Sequence, residues 1–164
     1  MKKIIVFSLL ALGVVLSSSW SIIVNNTDTV SYRCLIQLTN YGGEGAYVIT
    51  SLINPEGKYE QTLFVGGDDE EWYPDLPIWY EFYEESSIDI DGVTGASIKS
   101  GGRKIALLEV EANKLNNGYK LRFESSVEDG LYHEKDIEVD LTDNAFGKTI
   151  EGSGYIRYVR IITK

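Results

Sequence analysis

Few side chains in this sequence are suited to chemistry, and most stand where they can do little. There is one histidine, His133, beside Glu134 at the start of a charged stretch, and one cysteine, Cys34. A lone imidazole in that setting reads as a solvated strand-edge residue rather than the base of a catalytic triad. One His and one Cys do not furnish a zinc or haem site, and a single Cys closes no internal disulfide. Cys34, preceded by Ser31-Tyr32-Arg33 rather than a lipobox, reads as a small buried hydrophobe in a strand. Asp68-Asp69-Glu70-Glu71 offers oxygen ligands for Ca²⁺ but lacks the alternating EF-hand pattern, so a solvated acidic turn is the plainer reading. The glycine-rich "GGDD" and "SGGRK" do not have P-loop spacing.

One stretch remains: "DGVTGAS", Asp91 to Ser97. Read as a turn, it uses Gly92 and Gly95 for positive φ, with Asp91 and Thr94 bonding to nearby backbone. A turn does not require all of these residues together. Ser97 follows only Gly95 and Ala96, which predicts a hydroxyl on bare backbone, open to a large enzyme. An unassisted serine is a weak nucleophile, so Ser97 suits the role of acceptor for a transferase that brings its own base and metal. Lys99, Arg103 and Lys104 follow. They either balance a phosphate or simply form a solvated strand entry.

The elements around this stretch are mostly strands. "TVSYRCLIQL" mixes β-branched and aromatic residues, and "AYVITSLINPEGKYEQTLFV" reads as a hairpin about Pro55-Glu56-Gly57. "KIALLEVEA" precedes the turn Asn116-Asn117-Gly118. In "YKLRFE", Tyr119, Leu121 and Phe123 point one way while Lys120, Arg122 and Glu124 point the other. "DIEVDL" repeats the alternation with Ile137, Val139 and Leu141, and "YIRYVRII" is a last strand. This spacing predicts an all-β fold, an antiparallel immunoglobulin-like β-sandwich. The segment from Gly66 to Asp91 breaks the pattern, with ten acids, no Lys or Arg, and the aromatics Trp72, Tyr73, Trp79, Tyr80, Phe82 and Tyr83. Such a connection is functional or disordered, and six aromatics argue for order. Pro74 and Pro77 open a predicted short helix near Ile78 to Glu85.

Residues 1–24 read as a targeting segment: Lys2 and Lys3, an apolar run from Ile4, then Ser17-Ser18-Ser19. Cleavage near Ser19 gives a secreted domain. Because "WSIIV" prolongs the apolar run, retention as an N-terminal membrane anchor is the competing reading. Either way, residues 25–164 are expected to form a single extracytosolic, periplasmic domain. The full chain carries a net charge of −10, and loss of the two lysines makes the domain more acidic still. Nucleic acid is therefore excluded as a partner, since phosphate binding requires a basic stripe.

The stretch from Asp91 to Ser97 resembles the flavinylation motif Asp-x-x-Ser/Thr-Gly-Ala-Ser/Thr. That motif occurs in FMN-carrying subunits of the sodium-pumping NADH:quinone oxidoreductase and its Rnf-type relative. In those subunits an exported FAD:protein FMN transferase esterifies the last hydroxyl to the phosphate of FMN. The resemblance implies recognition through Asp91, Thr94, Gly95 and Ala96 and a covalent phosphoester at Ser97. This chain departs in having Ser at the acceptor position, where Thr is commoner, and Lys99 where another hydroxyl is frequent. From Thr29 to Arg160 it also resembles the predicted periplasmic family catalogued as domain of unknown function 2271. The carrying segments are "GDDEEWYPDLPIWYEFY", "IDGVTGAS", "GYKLRFESSVEDGLYHEKDIEVDL" and "GYIRYVR".

This second resemblance implies an immunoglobulin-like sandwich and a role near extracytosolic flavin-based electron transfer, beside membrane redox proteins such as PepSY-type ones. Two readings follow. The first is a redox carrier, a substrate of the transferase rather than a catalyst, with FMN on Ser97. The second is a cofactor-free accessory sandwich that binds a partner protein of a membrane redox system. On the first reading the six aromatics supply a face on which the flavin ring stacks; core packing accounts for them equally well.

Overall fold

The computed structural model describes residues 28–163; the 1–24 segment lies outside the described residues. Nine strands form two sheets. One has the order β5 (Arg103–Glu111), β1 (Thr29–Leu38), β9 (Ile156–Thr163), β8 (Thr149–Glu151). The other runs β4 (Thr94–Gly95), β3 (Tyr59–Gly66), β2 (Tyr47–Ile53), β6 (Lys120–Ser126), β7 (His133–Asp140). The all-β antiparallel sandwich expected from the strand spacing is the architecture observed. One pairing differs: β4 runs parallel to β3.

The alternation of the strands builds the core between the sheets. Tyr32, Cys34, Ile36 and Leu38 of β1 face Val48, Leu52, Leu63, Leu121 and Phe123 of the opposite sheet. Burial of such residues stabilises by about 1.5–3 kcal/mol each. Cys34 is fully buried, and desolvation pushes its thiol up to about 12. The predicted hairpin is β2–β3, its turn held by Asn54, whose Oδ1 accepts from the N–H groups of Glu56 and Lys58. A polar pin crosses the sandwich at its far end. Asp136 of β7, nearly buried, accepts from Ser125 Oγ (2.5 Å) and from the N–H groups of Ser153, Gly154 and Ile156 at the entry to β9.

The five-stranded sheet is buried on both faces, and all seven residues of β2 are buried. Its outer face carries a second core of Tyr47, Ile49 and Val65, covered by Tyr73, Leu76, Trp79 and Ile90. The cover is the acidic aromatic segment, which folds as a 3₁₀ helix (Glu70–Asp75) followed by helix α1 (Pro77–Ser86) with Pro77 in its first turn. Trp79 Nε1 donates to Thr62 Oγ1 at 3.0 Å, its ring stacks on Tyr83, and Phe82 stacks on Tyr59. Glu81, Glu84 and Glu85 remain on the solvent side of α1.

The outward face of β6, where the alternation places Arg122 and Glu124, is also buried. Arg122 is 6% exposed and Glu124 is 0% exposed. Tyr59 Oη donates to Glu124 Oε1 at 2.7 Å, and Tyr132 Oη donates to the other carboxylate oxygen. Arg122 lies over the Tyr59 ring and pairs with Glu138 at 2.9 Å.

Desolvation raises the Glu124 carboxyl from 4.5 to about 7, against the opposing pull of the two tyrosine hydroxyls and Arg122. Because its folded pKa lies above the unfolded one, native protein keeps this proton where the unfolded chain has lost it. The linked stabilisation is therefore full below about pH 4.5 and is lost as pH rises through 7. Glu124→Gln should remove this component, worth up to about 3 kcal/mol. Urea unfolding from pH 4.5 to 8 checks it; parallel wild-type and variant curves would contradict the assignment.

Candidate functional site

The motif is delivered by the path of the acidic segment. At the end of β3 the backbone passes Gly67 at φ +154°, where an added Cβ would lie 2.1 Å from the Tyr47 ring, so only glycine fits. The chain crosses the outer face of the sheet and returns to its starting point. Thr94 pairs with Val65, Gly95 pairs with Gly66, and Gly67 N–H donates to Gly95 O at 2.6 Å. The excursion is thus closed at its neck by the two glycines that begin it and by Thr94-Gly95 of the motif.

Within the motif, Asp91 to Val93 form one 3₁₀ turn. Asp91 is exposed, and its N–H donates to Asp89 Oδ1 at 2.9 Å. Thr94 Oγ1 donates to Ile90 O at 2.8 Å, so this hydroxyl holds the turn. Neither Gly92 nor Gly95 adopts positive φ, contrary to expectation. A Cβ on Gly92 would meet nothing within 4 Å, and Lys104 Nζ lies 3.2 Å from that position on Gly95.

Ser97 also differs from the bare-loop expectation. It is half-buried, because the next residue, Ile98, exchanges both backbone hydrogen bonds with Ala46 (2.8 and 2.9 Å) and draws the segment onto the sheet. Its hydroxyl occupies space that Gly45 leaves free, 2.5 Å from where a Cβ on that glycine would stand. Ala96, on the other side, stays exposed.

Ser97 lines a hollow of ≈ 290 Å³ with Lys99, Arg103 and Lys104. The turn carrying these cations is fixed from beneath. Gln37 Nε2 donates to Gly101 O and Gly102 O, Gln37 Oε1 accepts from Arg103 Nε, and Ser100 Oγ donates to Tyr41 O. Among the described residues no carboxylate lies within 4.0 Å of Lys99, Arg103 or Lys104; Arg33, Lys58, Lys148, Arg157 and Arg160 are unpaired as well, and what sets the three apart is that they line one hollow. In an acidic chain this is a local concentration of uncompensated positive charge, suited to a phosphate.

A second cleft, ≈ 360 Å³, adjoins the first through Lys104. It is the seam where the two sheet edges meet. Gln61 and Phe64 of β3, the Gly92–Gly95 stretch, and Lys104, Ile105, Leu107 and the acidic Glu109 of β5 line it.

The six aromatics offered as a flavin-stacking face are elsewhere. Tyr73 and Trp79 lie in the outer core, Trp72, Tyr80, Phe82 and Tyr83 pack against it, and Phe64 is the one aromatic of the seam cleft. His133 opens the edge strand β7, half-buried, and packs edge-on against Tyr155, and Asp69 caps the 3₁₀ helix through Glu71 N–H. The seam residues of β3 and β5 went unnoticed in the sequence. A signal existed in "IALL" of β5, where apolar residues on consecutive positions mark both faces of the strand.

A side chain at Gly45 tests the seating of Ser97. Gly45→Ala should displace the Ser97 hydroxyl and destabilise by about 1–3 kcal/mol, as overpacking does. Thermal unfolding and a crystal structure of the variant check this. An unchanged Tm with Ser97 in place would show that the space is not needed.

With this geometry in hand, comparison with known proteins adds one match. Residues 29–158 fit the family model described as "Predicted periplasmic protein (DUF2271)". No curated protein and no solved structure matches the chain. Among the described residues no helix is long and apolar enough to cross a membrane. The family match covers well over half of the sequence, and the chain belongs to the DUF2271 family of predicted periplasmic proteins.

Proposed function

We propose that this protein is an extracytosolic electron carrier whose FMN is esterified through its phosphate to Ser97. The observation that carries the reading is the hollow that Ser97 lines together with Lys99, Arg103 and Lys104, none of which has a carboxylate partner. The residues present fit the group. A phosphodiester retains one negative charge, and Lys99, Arg103 and Lys104 would offset it on a turn that Gln37 and Ser100 hold in place. Among the described residues Ser97 Oγ has no hydrogen-bonded base, consistent with an acceptor activated by a visiting enzyme.

The attachment balances without redox change. The donor is FAD, brought by an FAD:protein FMN transferase. The bond from Ser97 Oγ to the FMN phosphorus forms as the pyrophosphate bond breaks. AMP leaves with the electron pair, and the serine proton passes to a base of the transferase. Asp91 and Ala96, both exposed, and the Thr94-Gly95 pair beside them would be read by that enzyme. Once attached, the flavin supplies reversible electron transfer, and the protein chain itself catalyses nothing.

The carrier would exchange electrons with membrane redox proteins, PepSY-type ones among them. Residues 1–24 would export it to the periplasm, as a cleaved signal or a retained anchor.

Coexpression of the full chain with such a transferase in an exporting host tests this. The protein should gain the mass of FMN less water and fluoresce in a denaturing gel. Ser97→Ala should remain folded and lose both signals, and Thr94→Ala should weaken them, because the Ile90 contact shapes the turn. Absence of labelling beside an active transferase, or labelling of Ser97→Ala, would reject the carrier and favour the cofactor-free accessory sandwich.

A further inference from the structure

We infer that the seam cleft between β3–β4 and β5 is the seat of the isoalloxazine ring, an assignment that rests on the carrier reading above. The starting point is an anomaly of surface. Ile105 is 66% and Leu107 51% exposed, two large aliphatic side chains side by side on one face of an edge strand. Scattered apolar residues need no explanation, but a contiguous pair lining a cleft marks a contact surface. Phe64 and Ala106, both buried in the inter-sheet core, line the cleft from its inner side. A cleft with an exposed aliphatic rim accepts a flat, apolar-faced ring against that rim. Its volume, ≈ 360 Å³, lies in the range of about 300–1,000 Å³ usual for small-molecule pockets.

The polar groups of the cleft suit the other property of that ring, a pyrimidine edge that needs both donors and an acceptor. Gln61 lines the cleft, half-buried, and its amide makes no side-chain hydrogen bond among the described residues. β5 pairs only with β1, so alternate residues direct N–H and C=O groups into the seam. Lys104 lies on both the phosphate hollow and the seam. A cation there tunes the electronics of a flavin, because the reduced ring carries negative charge that it stabilises.

The reach is short. Gly95, on the seam, is two residues from Ser97, at most about 7 Å of extended chain, within the span of a ribityl linker. The glycines explain why nothing blocks the way. A side chain at Gly92 would stand in open space on the cleft wall, and one at Gly95 would press on Lys104. The motif's small residues thus leave a passage from the acceptor to the seam.

The experiment separates this assignment from attachment itself. The full chain is labelled by coexpression with the transferase, and labelled protein is identified by intact mass. Visible circular dichroism, flavin fluorescence anisotropy and the midpoint potential are then measured on the labelled fraction only. Wild type should show an induced visible band and high anisotropy, because its ring is fixed. Leu107→Asp and Ile105→Asp should each lose the band and lower the anisotropy. Ile162→Asp, an exposed change on the same sheet away from the cleft, should do neither. Lys104→Gln should lower the midpoint potential. A labelled wild type without the band, or cleft variants that keep it, would overturn the seam assignment and leave the carrier intact. No mass gain at all would overturn both.

Discussion

The structure depends on burying both faces of one sheet. A two-layer sandwich leaves the outer face of each sheet to water, and sequence alternation normally follows. Here Tyr47, Ile49 and Val65 would form an apolar patch on the five-stranded sheet if left open. The acidic aromatic segment covers them, giving its aromatic side to the sheet and its carboxylates to solvent. That requirement accounts for its composition: the rings are core residues of a third layer, and the acids keep the outer surface of that layer soluble.

Covering that face has two costs that the structure meets locally. Polar groups caught beneath the layer need partners, and the Trp79–Thr62 bond and the two tyrosines on Glu124 provide them. Burying a carboxylate remains expensive even so, which is why Glu124 holds its proton toward neutral pH. The second cost is closure of a long excursion. Pairing of Val65-Gly66 with Thr94-Gly95 closes it, and the motif becomes the last strand of the sheet. The position of Ser97 is therefore a consequence of how the third layer is fastened.

That fastening produces an edge. β4 is only two residues long, so beyond it the sheet ends and faces the edge of the other sheet at β5. Short edge strands resist pairing with other chains, and the gap between these two edges is wide enough to be a cleft. At the opposite end Asp136 ties the sheets together, leaving the open seam at the β4–β5 side. Cations collect there because Arg103 and Lys104 begin β5 and the turn before it brings Lys99 alongside.

Local features were legible from the sequence: the alternation in β6 and β7, the hairpin about Pro55-Glu56-Gly57, the short helix after Pro77, and the family. Each depends on neighbours a few positions away, whose spacing and dihedral preferences the sequence states directly. Only the tertiary structure decided which side of a strand is dry. Arg122 and Glu124 alternate away from the inter-sheet core yet are buried, enclosed by Tyr59, Tyr132 and Glu138 from other strands and the β6–β7 loop. Only the tertiary structure could show Ser97 seated against Gly45, Lys104 shared by two hollows, and Ile105 and Leu107 exposed on a cleft between β3 and β5. These relations join residues far apart in sequence, and they are set by which sheet edges meet, a property that no local pattern encodes.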